Sequence, residues 1–297
     1  MAELGVMIEA QEGLDWALWR QIASDADRLG FASLRTSDHC MSVFGVRERR
    51  SLPAWPALAL AAEWTSRIQL GPMVSPMTFY EPAVLARLAQ AVDELSDGRL
   101  IFGVGAGWYE AEHEAFGIPF LTLRERFDRL EQGIDRIRQT LADHPLPLLL
   151  GGHGEKRSLP LVARSAAEWN LNTTDLETYR AKAAVLAECC RAIGRDPGEI
   201  RHSIMAGYVV GRDLAELLAR AARFGRYLPG MADVPPDQVL DGLRSRMFVG
   251  TPAEVVAQMR GLADAGVSLF MLQHHLYDDS DALELLASEV IPELQKV

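Results

Sequence analysis

The chain has 297 residues, 48% of them hydrophobic and 24% charged, and its formal net charge at pH 7 is -11. That composition supplies a sizeable core and excludes a disordered chain. With no run of lysines or arginines, the acidic balance argues against nucleic acid or an anionic membrane as a partner.

The first residues carry acids where a secretory signal needs bases, and no stretch approaches the roughly 20 apolar residues of a membrane span. Cys40, Cys189 and Cys190 form no zinc spacing and read as free thiols of a reducing compartment, so a cytoplasmic protein is expected.

Along the chain, short β-type runs alternate with longer amphipathic ones. A strand is expected over 4–9 and a helix over 15–30. Further strands are expected over 32–36, 68–74, 100–105, 146–150, 168–172, 202–210 and 267–273. Thr251, Pro252 and Glu254 make a capping box with proline at the first helical position, and Gly266 closes that helix. A glycine- and proline-rich stretch over 228–236 interrupts the seventh unit as a surface excursion. No repeat or linker divides the chain, so one domain over 1–297 is expected. Eight strand and helix units predict a closed (β/α)8 TIM barrel, whose site lies at the C-terminal ends of the strands. An open doubly wound sheet has the same periodicity.

The residues after each strand carry the candidate chemistry. Gly103-Val104-Gly105-Ala106-Gly107-Trp108 looks like a dinucleotide loop, but Trp108 stands where the third glycine belongs. Alternate glycines at a strand end instead let a flat ligand or another backbone approach closely; a plain strand-to-helix turn is the alternative. Gly151, Gly152 and Gly154 follow an apolar strand and open a helix, where backbone amides suit a phosphate and Lys156 and Arg157 add charge. Turn chemistry alone is the other reading of that cluster. At the end of the second strand, Asp38 and His39 place a carboxylate beside an imidazole able to exchange protons near neutral pH. Glu9 ends the first strand and is a second acid-base candidate or a surface carboxylate.

His113 is expected on an exposed helix, and His274 and His275 either line the mouth or cap the last strand. Glu112, His113, His153 and His202 show no zinc spacing, so no metal is expected, and no nucleophile elbow is present. Trp16, Trp19, Trp55 and Trp64 fall at helical spacings and read as core or interface residues.

Taken in order, SDH at 37–39, VSPMTF at 74–79, LSDGRLIFGVGAGWYEAEHEAFGIPF at 95–120, RFDRLEQ at 126–132 and GGHGEKRSLPLVAR at 151–164 resemble the luciferase-like monooxygenase superfamily. The likeness is greatest to its branch of oxidoreductases using the deazaflavin coenzyme F-420. The resemblance implies a luciferase-like barrel, usually a homodimer, acting on a small-molecule substrate; this chain departs from it where residues 138–145 lead directly into Leu146, so a shortened insertion before strand five is expected. It implies phosphate binding at Gly151, Gly152 and Gly154, and backbone contact to the ligand's tail at Ala106 and Gly107, with Trp108 adjoining. It also implies that Asp38 contacts the ring, that His39 sits beside the reacting carbon, and that a non-proline cis peptide lies under the ring near Met73 and Val74. Sugar-phosphate dehydrogenases of the superfamily carry glutamate where this chain has Trp108, which disfavours that reaction. The implied function is hydride transfer between F-420 and a small carbonyl, alcohol or activated double bond. An FMN-dependent monooxygenase and a non-catalytic flavin-binding relative are the alternatives.

Overall fold

A computed structural model describes residues 1–296. The parallel strands are β1 (Glu3–Ile8), β2 (Ser33–Thr36), β3 (Gln69–Pro72), β4 (Ser75–Pro76), β5 (Phe102–Gly105), β6 (Leu148–Gly151), β7 (Glu168–Asn172), β8 (Arg201–Val210), β9 (Met247–Gly250) and β10 (Leu269–Gln273). Their order is β3-β2-β1-β10-β8-β7-β6-β5-β4, with β9 attached to β8. β3 and β4 are two halves of one barrel strand, parted at a cis Met73–Val74 peptide. A parallel bridge from Leu70 to Leu100 closes the ring. The eight expected strands are therefore those of a (β/α)8 barrel.

Two departures have a physical cause. The third strand breaks at the cis bond, which turns Ser75 and Pro76 into pairing with β5. β8 outruns its neighbour: Ser203 to Gly207 pair with β10, and Gly207 to Val210 pair with β9. The excursion over 228–236 leads into that added strand through helix α9 (Pro236–Leu243), too short a motif to announce itself.

Among the helices, α1 (Trp16–Leu29) shows how local chemistry sets the ends. Asp15 accepts from the Leu18 amide at 2.8 Å, Gly30 terminates the helix at φ 91°, and Trp19, Ile22, Ala23 and Ala26 form the buried stripe. The expected capping box opens α10 (Pro252–Asp264), with Thr251 and Glu254 bonding reciprocally. Helix α5 (Leu123–Thr140) runs almost directly into β6, so the insertion before strand five is short. No helix among the described residues is long and apolar enough to cross a membrane.

The barrel interior holds Met7, Met73, Leu149, Leu269 and Met271, with Val74, Ile101 and Met205 packed on them. It also holds an ion pair, since Arg35 of β2 lies 3.2 Å from Glu168 of β7 and both are buried. Ser203 donates to Glu168 at 2.7 Å, and Arg35 Nε donates to Ser33 Oγ at 2.6 Å. Gly71 makes room: a Cβ there would stand 2.1 Å from the Ile101 carbonyl oxygen and 3.2 Å from the guanidinium.

Removing one partner of a buried pair strands the other charge. Glu168→Ala is expected to lower stability by about 3 to 5 kcal/mol in urea denaturation, while Arg35→Met with Glu168→Leu recovers most of that loss. A loss under about 1 kcal/mol for the single change would refute this role.

Candidate functional site

A cavity of about 310 Å³ opens at the C-terminal ends of the strands, lined by His39, Val74, Gly105 to Trp108, Gly151, Gly152 and Ser158 among others. Of the residues singled out in the sequence, it gathers His39, Val74, Ala106, Gly107, Trp108, Gly151 and Gly152. Asp38, Met73, Glu9 and Gly154 are not on its wall.

His39 stands just past β2. Its Nδ1 lies 2.8 Å from Oε2 of Glu112, a fully buried residue of α4 (Glu110–Ala115). The Cys40 amide donates to the other carboxylate oxygen of Glu112, and Ser51 Oγ donates to the His39 carbonyl at 2.7 Å. The imidazole meets Trp108 and Tyr109 edge-on, at 5.6 and 6.2 Å between ring centres. Burial alone would lower its pKa, but the bond to Glu112 and the charges of Glu112, Glu9 and Asp38 outweigh it and hold the value above that of free histidine. The Cys40 thiol beside it is pushed up to about 11 by burial and then by Glu112 and Asp38, which removes it as a nucleophile at neutral pH.

Glu112 escaped the sequence reading because only its non-metal spacing was considered. His113 corrects an expectation outright, being 1% exposed rather than on an open helix. α4 turns inward, so His113 Nδ1 bonds the Tyr109 carbonyl at 2.7 Å and Nε2 bonds Thr78 at 2.8 Å, between the rings of Phe79 and Phe120. Gly107 adopts φ 77° against this cluster, where a Cβ would stand 2.5 Å from Thr78 Oγ1.

Asp38 is buried and is not among the residues that line the cavity. Ser75 and Tyr80 both donate to its carboxylate, Tyr80 at 3.0 and 3.1 Å. Burial raises its pKa, and those bonds only partly offset the rise. Ser75 and Tyr80 thus hold the Asp38 carboxylate in place next to His39 in the chain. Met73 points into the barrel interior, while Val74, across the cis bond, reaches the cavity. Glu9 accepts from Gln11 at 2.9 Å and from Gln273 at 2.7 Å, a partly buried carboxylate rather than a free surface one. His274 and His275 are buried, and burial pulls both down to about 4, so they stand neutral; His274 Nδ1 bonds Tyr208 at 2.6 Å.

At the far end, Gly152 takes φ 112° and Trp169 Nε1 donates to its carbonyl at 2.8 Å. Ser158, the first residue of α6 (Ser158–Ser165), crowds the loop: a Cβ at Gly152 would stand 3.3 Å from its Oγ and one at Gly154 3.0 Å. The charges expected here lie elsewhere. Arg157 pairs with Asp128 and Glu131 of α5, each at 2.8 Å, and Lys156 lines a separate outer cavity with Pro160 and Arg164. The cation on the cavity wall is Arg126, missed because the RFDRLEQ motif was read as a helix marker. Its guanidinium sits 4.1 Å from the Phe120 ring centre, Nη1 donates to the Leu121 carbonyl at 2.5 Å, and the buried Nε has no partner. One apolar cavity thus brings together an imidazole bonded to a buried carboxylate, a glycine turn and a cation whose Nε has no partner.

Comparison with known proteins bears on this geometry. The family model described as luciferase-like monooxygenase matches residues 1–269. The F420-dependent glucose-6-phosphate dehydrogenase of Intrasporangium calvum is 27% identical, covering 91% of this chain and 92% of its own. The FMNH(2)-dependent dimethylsulfone monooxygenase of Pseudomonas fluorescens is 23% identical, covering 90% and 85%. Among solved structures, an F420-dependent secondary alcohol dehydrogenase in complex with an F420-acetone adduct superposes with a TM-score of 0.81 at 21% identity, covering 99% of both chains. The oxygenating constituent of 3,6-diketocamphane monooxygenase from Pseudomonas putida, in complex with FMN, gives 0.78 at 20%, covering 98% and 99%. At such identities the two structures speak to the fold.

Proposed function

We propose, for a chain that belongs to the luciferase-like monooxygenase family, that it is an oxidoreductase seating the deazaflavin coenzyme F-420 in the described cavity and reducing or oxidising a small organic substrate there. The observation that carries this reading is the joining, in one cavity, of His39 with the glycine turn at Gly151 and Gly152.

The residues present fit such a group. Ala106 and Gly107 offer backbone along its length, Val74 offers an apolar contact, and Gly151, Gly152 and Ser158 suit the phosphate. The unpartnered Nε of Arg126 suits an anionic tail. When bound, the coenzyme supplies a ring carbon that gives or takes a hydride. The protein's part is to hold the ring end near His39, to exclude water with Trp108 and Tyr109, and to move a proton at the imidazole. Glu9 is the second candidate for acid-base work, held in place by its two glutamine donors. Trp108, at the position where relatives acting on sugar phosphates carry glutamate, supports an apolar substrate over a sugar phosphate. An FMN-dependent monooxygenase is the second reading, supported by the dimethylsulfone monooxygenase relative and by a phosphate seat that serves either cofactor.

A homodimer is part of this proposal. On the outer face of α2 (Ala54–Trp64) and α3 (Pro82–Leu95), Leu60, Val84, Leu88 and Leu95 are 39, 57, 38 and 53% exposed, an apolar stripe that a second copy would cover. Light scattering at micromolar concentration is expected to give twice the chain mass for the wild type and a single-chain mass for Val84→Glu with Leu88→Glu. A monomeric wild type would remove the dimer.

Fluorescence titration is expected to show tighter binding of F-420 than of FMN, and His39→Ala is expected to keep that binding. On a substrate found by screening for coenzyme reduction, the same variant should turn over roughly 100-fold or more slowly. FMN binding without F-420 binding would overturn the cofactor assignment, and unchanged turnover would remove His39 from the reaction.

A further inference from the structure

A carboxylate that is ionised can only accept hydrogen bonds. Glu112 is buried to 1% exposure and spends one oxygen on the Cys40 amide, a donor with no freedom to reverse. Its other oxygen, 2.8 Å from His39 Nδ1, therefore requires the proton to sit on that nitrogen. His39 itself is pinned from the backbone side by Ser51, and from the ring's edges by Trp108 and Tyr109. No other side chain among the described residues bonds the ring, so Nε2 is the nitrogen left for a ligand in the cavity that His39 and Glu112 both line.

We propose that Glu112 is the positioning residue of this site: its carboxylate fixes His39 with a proton on Nδ1 and presents Nε2 as the atom that exchanges protons with a bound ligand.

The charges facing the imidazole agree in sign. Glu112 comes from α4, Glu9 from the end of β1, and Asp38 from the end of β2; Cys40 lies beside them with its thiol protonated. Tyr80 reaches His39 only through Asp38. These acids favour the imidazolium while burial disfavours it, and Glu112 supplies both the hydrogen bond and the largest charge. Removing that charge leaves burial dominant, so the titration midpoint must fall. The arrangement resembles a carboxylate orienting a catalytic histidine in logic: the acid sets the tautomer and steadies the positive form, and the opposite nitrogen does the work. Both Glu112 oxygens are taken up, one by the Cys40 amide and one by His39 Nδ1, so its effect is exerted through the imidazole. The use of Nε2 in hydride chemistry rests on the function proposed above, whereas the tautomer and the titration do not.

The test is nitrogen-15 NMR of the full chain labelled at histidine, with His39 assigned by its absence in His39→Gln. In the wild type, the neutral ring is expected to show the Nδ1–H tautomer and to titrate above the free-histidine value of about 6.5. In Glu112→Gln the midpoint is expected to fall by about one pH unit or more, a tenfold or greater change in proton affinity, with the tautomer preference lost. An Nε2–H tautomer in the wild type overturns the proposal without any variant, which keeps it open to refutation if Glu112→Gln does not fold. A folded Glu112→Gln with unchanged His39 titration also overturns it, leaving Glu112 as a brace for the Cys40 amide. Because no cofactor is needed, a chain that binds neither F-420 nor FMN yet shows these shifts would sink the proposed function and leave this assignment standing.

Discussion

The ion pair between Arg35 on β2 and Glu168 on β7 joins strands on opposite sides of the ring, and the inward-facing residues are arranged around it. A barrel interior is normally filled by layers of branched apolar side chains. Here a guanidinium with no exposure occupies the interior, donating to Ser33 and paired with Glu168, which accepts from Ser203; a Cβ at Gly71 would clash with the Ile101 carbonyl and crowd the guanidinium. A one-residue slip of β2 or β7 would turn one charge outward among the helices and strand the other. The pair thereby ties register to chemistry: β2 in this register delivers Asp38 under the mouth and His39 onto its wall, and β7 in this register places Trp169 to bond the Gly152 carbonyl.

The barrel interior also holds Met7, Met73 and Met271, and a cis bond joins Met73 to Val74. Met73 belongs to the core, while Val74 both packs on that core and lines the cavity wall. The cavity's two polar ends have different origins. The histidine end is built by a long-range contact between the β2 exit and α4, the glycine end by local turn chemistry between β6 and α6. Arg126, over the Phe120 ring and short of one hydrogen-bond partner, adds a cation to the cavity wall.

The barrel was legible because parallel strands buried on both faces read as short apolar runs separated by helical periodicity. His39, Ala106, Gly107, Trp108, Gly151 and Gly152 were legible because residues just past a barrel strand must lie at the mouth. What stayed hidden depended on direction. Lys156 and Arg157 sit beside the right glycines in sequence, but α5 offers Arg157 two carboxylates and turns it away. Glu112 and His113 sit on a short helix whose inward face is set by aromatic neighbours far along the chain, a fact no local period records. The donors to Asp38 were hidden too, because Ser75 and Tyr80 come near its carboxylate only in the folded chain.

The central claim is that one cavity holds a deazaflavin with its ring at His39 and its phosphate at Gly151 and Gly152. A crystal structure of the chain with F-420 tests it most directly. The account predicts the ring's reacting edge against His39 Nε2 and Val74, and the phosphate within hydrogen-bond distance of the Gly152 amide and Ser158 Oγ. A coenzyme bound outside this cavity, or one lying in it with the phosphate turned toward His39, would contradict it.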